Sequence, residues 1–363
     1  MANQVFNFGA GPAMLPVPVM EKIQAEFLNY NGMGVSAIEI SHRSKEFVAI
    51  LEAAQATFRE LSGVPDNYKI LFVHGGARMQ FAALPLNLAG RTATQKCLYF
   101  ETGNFAKLAL KDAAPFCDVK VVASGAATNH DRLPPYSSAD IDQDAAYCHI
   151  TSNNTVYGSQ WQTFPDTGAV PLIADQTSEI LSREIDYSKF GCIYAGMQKN
   201  LGPSGMAMVV IREDLLGFAS EHTPLLLNYT ELDKDNSLTN TTNTFAIYVV
   251  KLMLDWLKAE GGVKVIEARN RAKAARLYAL LDGSGFYKGF VQPEFRSIMN
   301  VTFNLASEEL EAKFLKEAGA AGLYALKGHR AVNGIRASIY NPMPMAGVEA
   351  LASFMEEFER NNG

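Results

Sequence analysis

One lysine is set apart by its neighbours in the sequence, which are small or apolar and carry no charge. Lys199 lies within residues 194–205, between apolar runs at 190–194 and 206–211, and none of the five residues on either side of it is charged. An amine held away from water has a lowered pKa and can act as the nucleophile that forms a Schiff base. The other interpretation is a tight strand–loop–strand turn with one exposed lysine, and this stretch alone favours neither.

Three further residues that could take part in chemistry follow other short apolar runs. Asp175 ends the run 171–174, Thr155 lies in the loop after 147–150, and Phe105 comes shortly after 97–100. Taken alone, Asp175 is more simply explained as a helix N-cap or a turn residue at a strand end.

A fourth apolar run, 70–73, is followed by the small-residue turn His74-Gly75-Gly76-Ala77-Arg78 at the start of a predicted helix. Backbone N–H groups at a helix start, together with an arginine, can bind a phosphate group. Two glycines after a strand are common, so this turn indicates a phosphate site only weakly by itself.

The elements that must position these residues are seven short apolar runs with little alternation: 70–73, 97–100, 119–123, 147–150, 171–174, 192–194 and 207–211. Such runs are typical of strands that are buried on both faces in a mainly parallel sheet covered by helices. We therefore predict an α/β core of the seven-stranded type from about residue 65 to about residue 215.

Loops at the carboxyl ends of such strands converge on one crevice. A lysine, a carboxylate, a threonine, an aromatic ring and a phosphate-binding turn would meet there. That set matches pyridoxal 5'-phosphate, whose aldehyde bonds to a lysine, whose ring nitrogen pairs with a carboxylate, and whose ring stacks on an aromatic side chain.

The rest of the chain is predicted to form helices and a second domain. Helices are predicted from about residue 19 and from Ser44, residues 221–243 are predicted to form a long loop, and an apolar helix over 245–260 precedes a more exposed one at 269–281. Strands and helices alternate from about residue 297. We predict an N-terminal arm (1–15), a large α/β domain (16–260) and a small α+β domain (261–363).

Composition narrows the class of protein. Of the 363 residues, 48% are hydrophobic and 19% charged, and the net charge of −6 argues against a nucleic-acid binder. The first residues do not have the pattern of a signal peptide, and no run is long and apolar enough to predict a membrane span. The four cysteines are scattered, so we expect free thiols, a cytoplasmic location and no metal site.

Motifs that carry a family resemblance extend over the whole chain. They are Gly11-Pro12-Ala13-Met14, Ser41-His42-Arg43, Gly75-Gly76-Ala77-Arg78, Asn153-x-Thr155-x-x-Gly158, Ala174-Asp175, Gln198-Lys199-Asn200-x-Gly202-Pro203, Asn240-Thr241, Gly328-His329-Arg330 and Ile335-Arg336-Ala337-Ser338. With these motifs the chain resembles the phosphoserine aminotransferases, which are class V aminotransferases of the fold type I group of pyridoxal-phosphate enzymes.

The resemblance implies a role for each matching residue. Lys199 would be the Schiff-base lysine and general acid/base, and Asp175 would pair with the pyridinium nitrogen. The other expected cofactor contacts are Thr155 at the ring hydroxyl, Phe105 on the ring face, Ala77, Arg78 and Gln198 at the phosphate, and Asn240 and Thr241 at the phosphate of the neighbouring subunit's cofactor. Each active site would then lie at the interface of a homodimer.

The residues expected to bind substrate anions are His42, Arg43, His329, Arg330 and Arg336, with Arg336 the partner of the α-carboxylate. Guanidinium groups suit carboxylate and phosphate groups because they bind them through two parallel hydrogen bonds. By resemblance, the reaction would convert 3-phosphohydroxypyruvate and L-glutamate to O-phospho-L-serine and 2-oxoglutarate in serine biosynthesis. A second activity, forming 4-phosphohydroxy-L-threonine for pyridoxine biosynthesis, is also expected.

The sequence departs from the family pattern at two positions. Phe105 stands where the family commonly has tryptophan, so the stacked area is smaller, and Ala10 stands where relatives often have a serine that touches substrate.

Two other functions fit less well. An alanine–glyoxylate transaminase would not need the His42-Arg43 and His329-Arg330 pairs, and a non-catalytic phosphate-binding protein would not need Lys199 together with Asp175.

Overall fold

The computed structural model describes residues 5–363, so the first four residues of the predicted arm lie outside it. Its strands are β1 (Phe6–Asn7), β2 (Tyr68–His74), β3 (Lys96–Glu101), β4 (Asp118–Ser124), β5 (Tyr147–Thr151), β6 (Asn153–Asn154), β7 (Ser159–Gln160), β8 (Leu172–Asp175), β9 (Cys192–Gly196), β10 (Met206–Arg212), β11 (Lys288–Gly289), β12 (Asn300–Asn304), β13 (Leu323–Tyr324) and β14 (Ile335–Ser338). Its α-helices are α1 (Val17–Glu26), α2 (Lys45–Ser62), α3 (Gly76–Leu88), α4 (Asn104–Ala113), α5 (Tyr229–Lys234), α6 (Thr244–Ala259), α7 (Gly262–Gly283), α8 (Glu308–Ala320) and α9 (Met345–Asn362).

A seven-stranded sheet forms the centre of the molecule, in the order β2-β10-β9-β8-β5-β3-β4. Strand β10 is antiparallel to both of its neighbours, and the other adjacent pairs are parallel. The seven apolar runs of the sequence are these seven strands, which confirms the predicted α/β class and the mainly parallel sheet.

Burial explains the missing alternation in most of these strands. Every residue of β5, β8 and β9 is buried, because helices cover both faces of the sheet. Strand β4 is an exception: it forms one edge of the sheet, and all seven of its residues are exposed or half-buried. The expectation of burial on both faces is therefore wrong for this strand.

Two hydrophobic clusters cover the two faces of the sheet. One contains apolar residues of α2 and α6, and the other contains residues of α3 and α4. Helix α2 begins where the sequence predicts, because the Ser44 side chain accepts a hydrogen bond from the Phe47 N–H at 3.2 Å.

A third cluster lies in the C-terminal part of the chain. It joins the antiparallel sheet β11-β12-β14 to α8 and α9, and it also includes Phe6 and Phe8 of the N-terminal arm. Strand β1 of the arm pairs in parallel with β13. Helix α7 contributes Val263 and Ile266 to one core and Leu277 and Leu281 to the other, so it links the two parts.

Two local predictions are wrong. Residues 221–243 contain the short helix α5, which begins where the Asn228 side chain accepts from the Thr230 N–H at 3.0 Å. Helix α7 begins at Gly262 rather than at 269, and it buries Asn270 and Lys273, whose side-chain nitrogens donate to acceptors inside the protein. Within residues 5–363, none of the helices is long and apolar enough to cross a membrane.

Candidate active site

A cavity of about 300 Å³ lies at the carboxyl ends of the parallel strands. Its walls come from the loops after β2, β3, β5, β8 and β9, from the N-terminal arm at Ala10 and Gly11, and from His329 and Arg336. The volume falls at the lower end of the range of about 300–1,000 Å³ for small-molecule sites. The strand ends therefore bring together the residues that the sequence places on separate loops.

The amine of Lys199 lies inside this cavity. Its side chain is buried, its Nζ donates to Thr155 Oγ1 at 2.6 Å, and the same atom lies 5.4 Å from the centre of the Phe105 ring. Burial lowers the pKa of Lys199 to about 7, an effect that Arg336 reinforces and the carboxylate of Asp175 opposes. A large part of the amine population is therefore neutral near pH 7, and a neutral amine is nucleophilic. Of the two interpretations of Lys199, the exposed turn lysine is wrong.

Asp175 ends β8 and is buried in the same wall. Its Oδ1 accepts from the Thr177 N–H at 2.9 Å, and burial raises the pKa of the carboxyl group. The Thr177 hydroxyl in turn accepts from the Gly196 N–H at 3.0 Å, which ties the end of β8 to the end of β9. The carboxylate is thus held in one orientation beside the Lys199 amine.

Two glycines allow chain segments to approach closely around the lysine. A Cβ atom on Gly196 would lie 2.6 Å from Gln198 Oε1 and 3.2 Å from the Ala77 N, so a side chain there would displace Gln198. A Cβ on Gly11 would lie 3.3 Å from Cγ of both Gln198 and Lys199, and its φ of +133° disfavours any other residue. The arm can therefore cover the lysine only because residue 11 is glycine.

The turn after β2 forms another wall of the cavity. Gly75 adopts the left-handed conformation (φ 83°) and opens α3, which places Ala77, Arg78 and Phe81 along the cavity. Arg78 is mostly exposed, and its Nη2 donates to Asp112 Oδ1 at 3.2 Å. Backbone N–H groups at the start of α3 are oriented as in anion sites at helix N-termini.

Arg336 enters the cavity from β14, in the C-terminal part of the chain. Its Nε is buried without a hydrogen-bond partner among the described residues. Burial also lowers the pKa of this guanidinium group. His329 lies nearby, and burial, Arg336 and Arg330 all lower the pKa of its imidazole. A guanidinium group that lacks a protein acceptor in a cavity is suited to bind an anionic ligand.

Five of the residues expected at the site do not line this cavity. Arg43, Arg330 and Thr241 are exposed, and His42 and Asn240 are half-buried. The Asn240 Oδ1 lies 3.1 Å from His74 Nε2, at the end of β2. The cavity does contain the other nine expected residues: Ala77, Arg78, Phe105, Thr155, Asp175, Gln198, Lys199, His329 and Arg336.

Sequence reasoning missed several residues of the cavity wall. Thr177 and Ser178 lie there because the chain turns sharply after Asp175, and Asn153 donates to Ser178 Oγ at 2.8 Å. The signal that could have found them is the run Asp175-Gln176-Thr177-Ser178, since a carboxylate that accepts from the N–H two residues on is a common turn. Ala10, which departs from the family pattern, also lies in the wall.

Comparisons with known proteins identify the family of the chain. The model of the class V aminotransferases (Aminotransferase class-V) matches residues 5–351. A phosphoserine aminotransferase of Bacillus cereus is 48% identical over 360 residues, which cover 99% of both chains.

Two solved structures support the same assignment. A phosphoserine aminotransferase from Bacillus circulans subsp. alkalophilus is 46% identical with a TM-score of 0.96 and covers 100% of both chains. A PLP-bound phosphoserine aminotransferase from Trichomonas vaginalis is 36% identical with a TM-score of 0.92, over 97% of this chain and 100% of that one. The chain therefore belongs to the class V aminotransferases, a family of enzymes that transfer amino groups.

Proposed function

We propose that the enzyme transfers the amino group of L-glutamate to 3-phosphohydroxypyruvate and forms O-phospho-L-serine and 2-oxoglutarate, a step of serine biosynthesis. The observation that carries the proposal is the cluster of Lys199, Thr155 and Asp175 in one cavity with the unpaired guanidinium of Arg336. The similar proteins named phosphoserine aminotransferases support the choice of substrates.

The residues of the cavity fit pyridoxal 5'-phosphate. Lys199 would carry the cofactor covalently through Nζ, Asp175 would face its ring nitrogen, Phe105 its ring face, and Ala77, Arg78 and Gln198 its phosphate. When bound, the cofactor supplies an electron sink for the bonds at the amino-acid α-carbon. The close approach of the Gln198 and Ala77 segments at Gly196 supports this fit, because a larger residue there would disturb the phosphate side of the cavity.

Lys199 can both accept and donate a proton at neutral pH, because burial brings its pKa to about 7. The Thr155 hydroxyl, 2.6 Å from Nζ, holds the amine in place. The Lys199 amine would take the proton from the substrate α-carbon in its neutral form and give it back in its protonated form. The buried carboxylate of Asp175 would keep the ring nitrogen protonated, since a nearby negative charge stabilises the protonated form.

The substrates are small polyanions, and the positive residues match them. Arg336 would bind the α-carboxylate that glutamate and phosphohydroxypyruvate share, with His329 beside it. His42, Arg43 and Arg330 would bind the phosphate or the distal carboxylate. The last three lie outside the cavity of their own chain, and Asn240 and Thr241 do too. That placement supports a homodimer in which one protomer adds residues to its partner's site. The proposed partners are thus small-molecule substrates and a second copy of the chain, and we propose neither a nucleic-acid nor a membrane partner.

We also propose a second activity, a domain division and a location for the enzyme. The enzyme would also form 4-phosphohydroxy-L-threonine in pyridoxine biosynthesis, because that substrate carries the same phosphate and carboxylate groups. The division into an arm (1–15), a large domain (16–260) and a small domain (261–363) is supported by the separate C-terminal core and its connection through α7. A cytoplasmic location would suit the four free cysteines, of which three are buried.

A transamination assay with two acceptors tests the proposal. Purified enzyme loaded with the cofactor is given L-glutamate and either 3-phosphohydroxypyruvate or unphosphorylated hydroxypyruvate, and the release of 2-oxoglutarate is measured. We expect the phosphorylated acceptor to be preferred by about 100-fold or more in kcat/KM, because charge-assisted hydrogen bonds contribute about 1.5–3 kcal/mol each. Equal values for the two acceptors, or turnover with alanine and glyoxylate instead, would disprove the substrate assignment.

A further inference from the structure

Three buried asparagines connect the segment of Lys199 to the segment of Arg336. They are Asn200, Asn270 and Asn341, each no more than 5% exposed. Asn200 directly follows Lys199, Asn341 lies five residues after Arg336 along the chain, and Asn270 belongs to α7. We call these three residues the asparagine clamp.

The clamp holds one turn of the large core by three successive carbonyl groups. Asn200 Nδ2 donates to the Ile180 carbonyl at 3.0 Å, Asn341 Nδ2 to the Leu181 carbonyl at 2.9 Å, and Asn270 Nδ2 to the Ser182 carbonyl at 2.9 Å. Leu181 adopts a left-handed conformation with a φ of 54°. Buried carbonyl groups that lack a donor are unfavourable, so the three amides stabilise this conformation of the turn.

The three asparagines are also joined to one another by hydrogen bonds. The Asn341 N–H donates to Asn200 Oδ1 at 3.1 Å, and Asn270 Nδ2 donates to Asn341 Oδ1 at 2.8 Å. Asn341 thus contacts both other members. It is the one through which the loop after β14 is attached to the lysine segment on one side and to α7 on the other.

Lys273, three residues after Asn270 on α7, bonds to the same loop. Its buried Nζ donates to the carbonyl groups of Ile339, Tyr340 and Met343 at 2.9, 2.7 and 3.0 Å. Hydrogen bonds therefore attach the loop after β14 both to the lysine segment and to α7. Within residues 5–363, Arg336 Nε has no hydrogen-bond partner, so no hydrogen bond at this atom holds the guanidinium group in place.

We propose that Asn341 is a positioning residue that sets the place of the Arg336 guanidinium relative to Lys199. Ile180 and Leu181 belong to the large core, whereas Ile339 and Tyr340 belong to the C-terminal core, so the clamp joins the two where the cavity lies between them. The inference rests on the proposed function, in which Arg336 binds the substrate carboxylate. In this proposal the loop after β14 affects the affinity for substrate through the position of Arg336, without contacting the substrate itself.

The test compares Asn341→Ala with a matched control, Asn87→Ala. Asn87 is 3% exposed and donates to the Ala83 and Leu227 carbonyls at 2.8 and 2.7 Å, but it lies at the far end of α3 from the cavity. The binding of glutarate, a dicarboxylate without a reacting group, to the cofactor-loaded proteins is measured by calorimetry. Thermal unfolding of each variant is measured as well.

We expect both variants to unfold at a lower temperature than the wild type, because Asn341→Ala loses two side-chain hydrogen bonds and Asn87→Ala loses three, the third being the one that Asn87 Oδ1 accepts from the Tyr229 N–H at 2.9 Å. Only Asn341→Ala should bind glutarate more weakly, by roughly tenfold or more, since misplacing a positioning group by about 1 Å can reduce activity about 100-fold. Equal glutarate affinity in the two variants would overturn the inference.

A second variant keeps the test decisive if Asn341→Ala does not fold. Asn270→Ala leaves Asn341 in place but removes its partner, and it also removes an Oδ1 atom that is buried without a donor. We expect a loss of glutarate affinity of severalfold, and wild-type affinity would overturn the inference. Failure of the proposed function has a different signature: the wild type itself would then bind no glutarate and transaminate no phosphohydroxypyruvate.

Discussion

Two sets of expected site residues differ in whether one chain brings them together. We call Lys199, Thr155 and Asp175 the inner wall of the cavity, and we call His42, Arg43 and Arg330 the outer group. On the inner wall, Lys199, Thr155 and Asp175 are buried and joined by hydrogen bonds to their surroundings. In the outer group, Arg43 and Arg330 are exposed and lie outside the cavity.

This difference follows from the elements that carry each set. Strand ends in one sheet are fixed relative to one another by the register of the sheet, so a single chain can build the inner wall. The outer residues lie on loops that are far apart in the sequence, and loops are positioned by what packs against them. The comparison predicts that substitutions on the inner wall abolish the chemistry, whereas substitutions in the outer group change the choice of substrate.

The largest effect is expected for Lys199→Ala. Loss of the nucleophile and of the proton-transfer group should lower kcat by about 10⁴-fold or more, at or beyond the upper end for general acid–base catalysis. Steady-state assays check this, with the exposed lysine variant Lys264→Ala as the control that keeps full activity. Turnover near the wild-type rate in Lys199→Ala would remove this lysine from the mechanism.

Asp175→Asn should have the next largest effect. The amide keeps the size of the side chain and an oxygen that can accept from the Thr177 N–H, as Asp175 Oδ1 does at 2.9 Å in the wild type. It carries no charge, however, to hold the ring nitrogen protonated. We expect kcat to fall by about 100-fold or more, as for the loss of one stabilising group at the reacting centre. If the variant lost cofactor binding but kept its kcat at saturating cofactor, Asp175 would only anchor the ring.

Arg336→Lys tests the arginine that lines the cavity from the C-terminal part of the chain. A lysine keeps the charge but cannot form two parallel hydrogen bonds with a carboxylate. KM for glutamate and for 2-oxoglutarate should rise by about 10- to 100-fold, because one charge-assisted hydrogen bond contributes about 1.5–3 kcal/mol. Arg276→Lys, at a surface arginine that contacts Glu349 and Glu356, is the matched control. An unchanged KM would assign the carboxylate to another cation.

In the outer group, Arg43→Gln and Arg330→Gln should affect one class of substrate. KM for 3-phosphohydroxypyruvate should rise about tenfold, the effect of one lost phosphate contact, while KM for hydroxypyruvate stays the same. The same assay at increasing salt concentration should narrow the difference between variant and wild type, since exposed charges are screened. Equal changes for both acceptors would contradict a role at the phosphate.

The smallest effect is expected for Phe105→Trp, which restores the residue common in the family. The Phe105 ring is only half-buried, and stacking of aromatic rings contributes about 0.5–1.5 kcal/mol beyond buried area, so cofactor affinity should rise only a few-fold. Equilibrium dialysis of the cofactor against both proteins measures this change. A fall in affinity would show that the smaller ring is fitted to this cavity.

The central sheet and the inner wall could be predicted from the sequence because both depend on local patterns. Each apolar run such as 171–174 marks a strand. The polar residue that follows the run, such as Asp175, lies at the carboxyl end of that strand because it comes last in the chain direction. The burial of Lys199 is consistent with its uncharged neighbours.

The remainder depends on contacts between distant segments, which no local pattern encodes. Asn270 and Lys273 occupy positions of a polar helix face that would normally be exposed, and they are buried only because the loop after β14 lies against them. Exposure of β4 could not be read from its apolar residues either, since the sequence does not state which strand ends the sheet.

The pairing of β1 with β13 has a consequence for the order in which a newly made chain can become active. Phe6–Asn7 is made more than 300 residues before its partner Leu323–Tyr324. Strand β2 likewise waits for β10, its one neighbour in the sheet. Contacts between segments so far apart form slowly because the intervening chain must first be closed into a loop. The arm that carries Ala10 and Gly11 over Lys199 therefore gains its strand partner only after Leu323–Tyr324 has been made, so chains that stop before these residues would carry the lysine under an arm that is not paired.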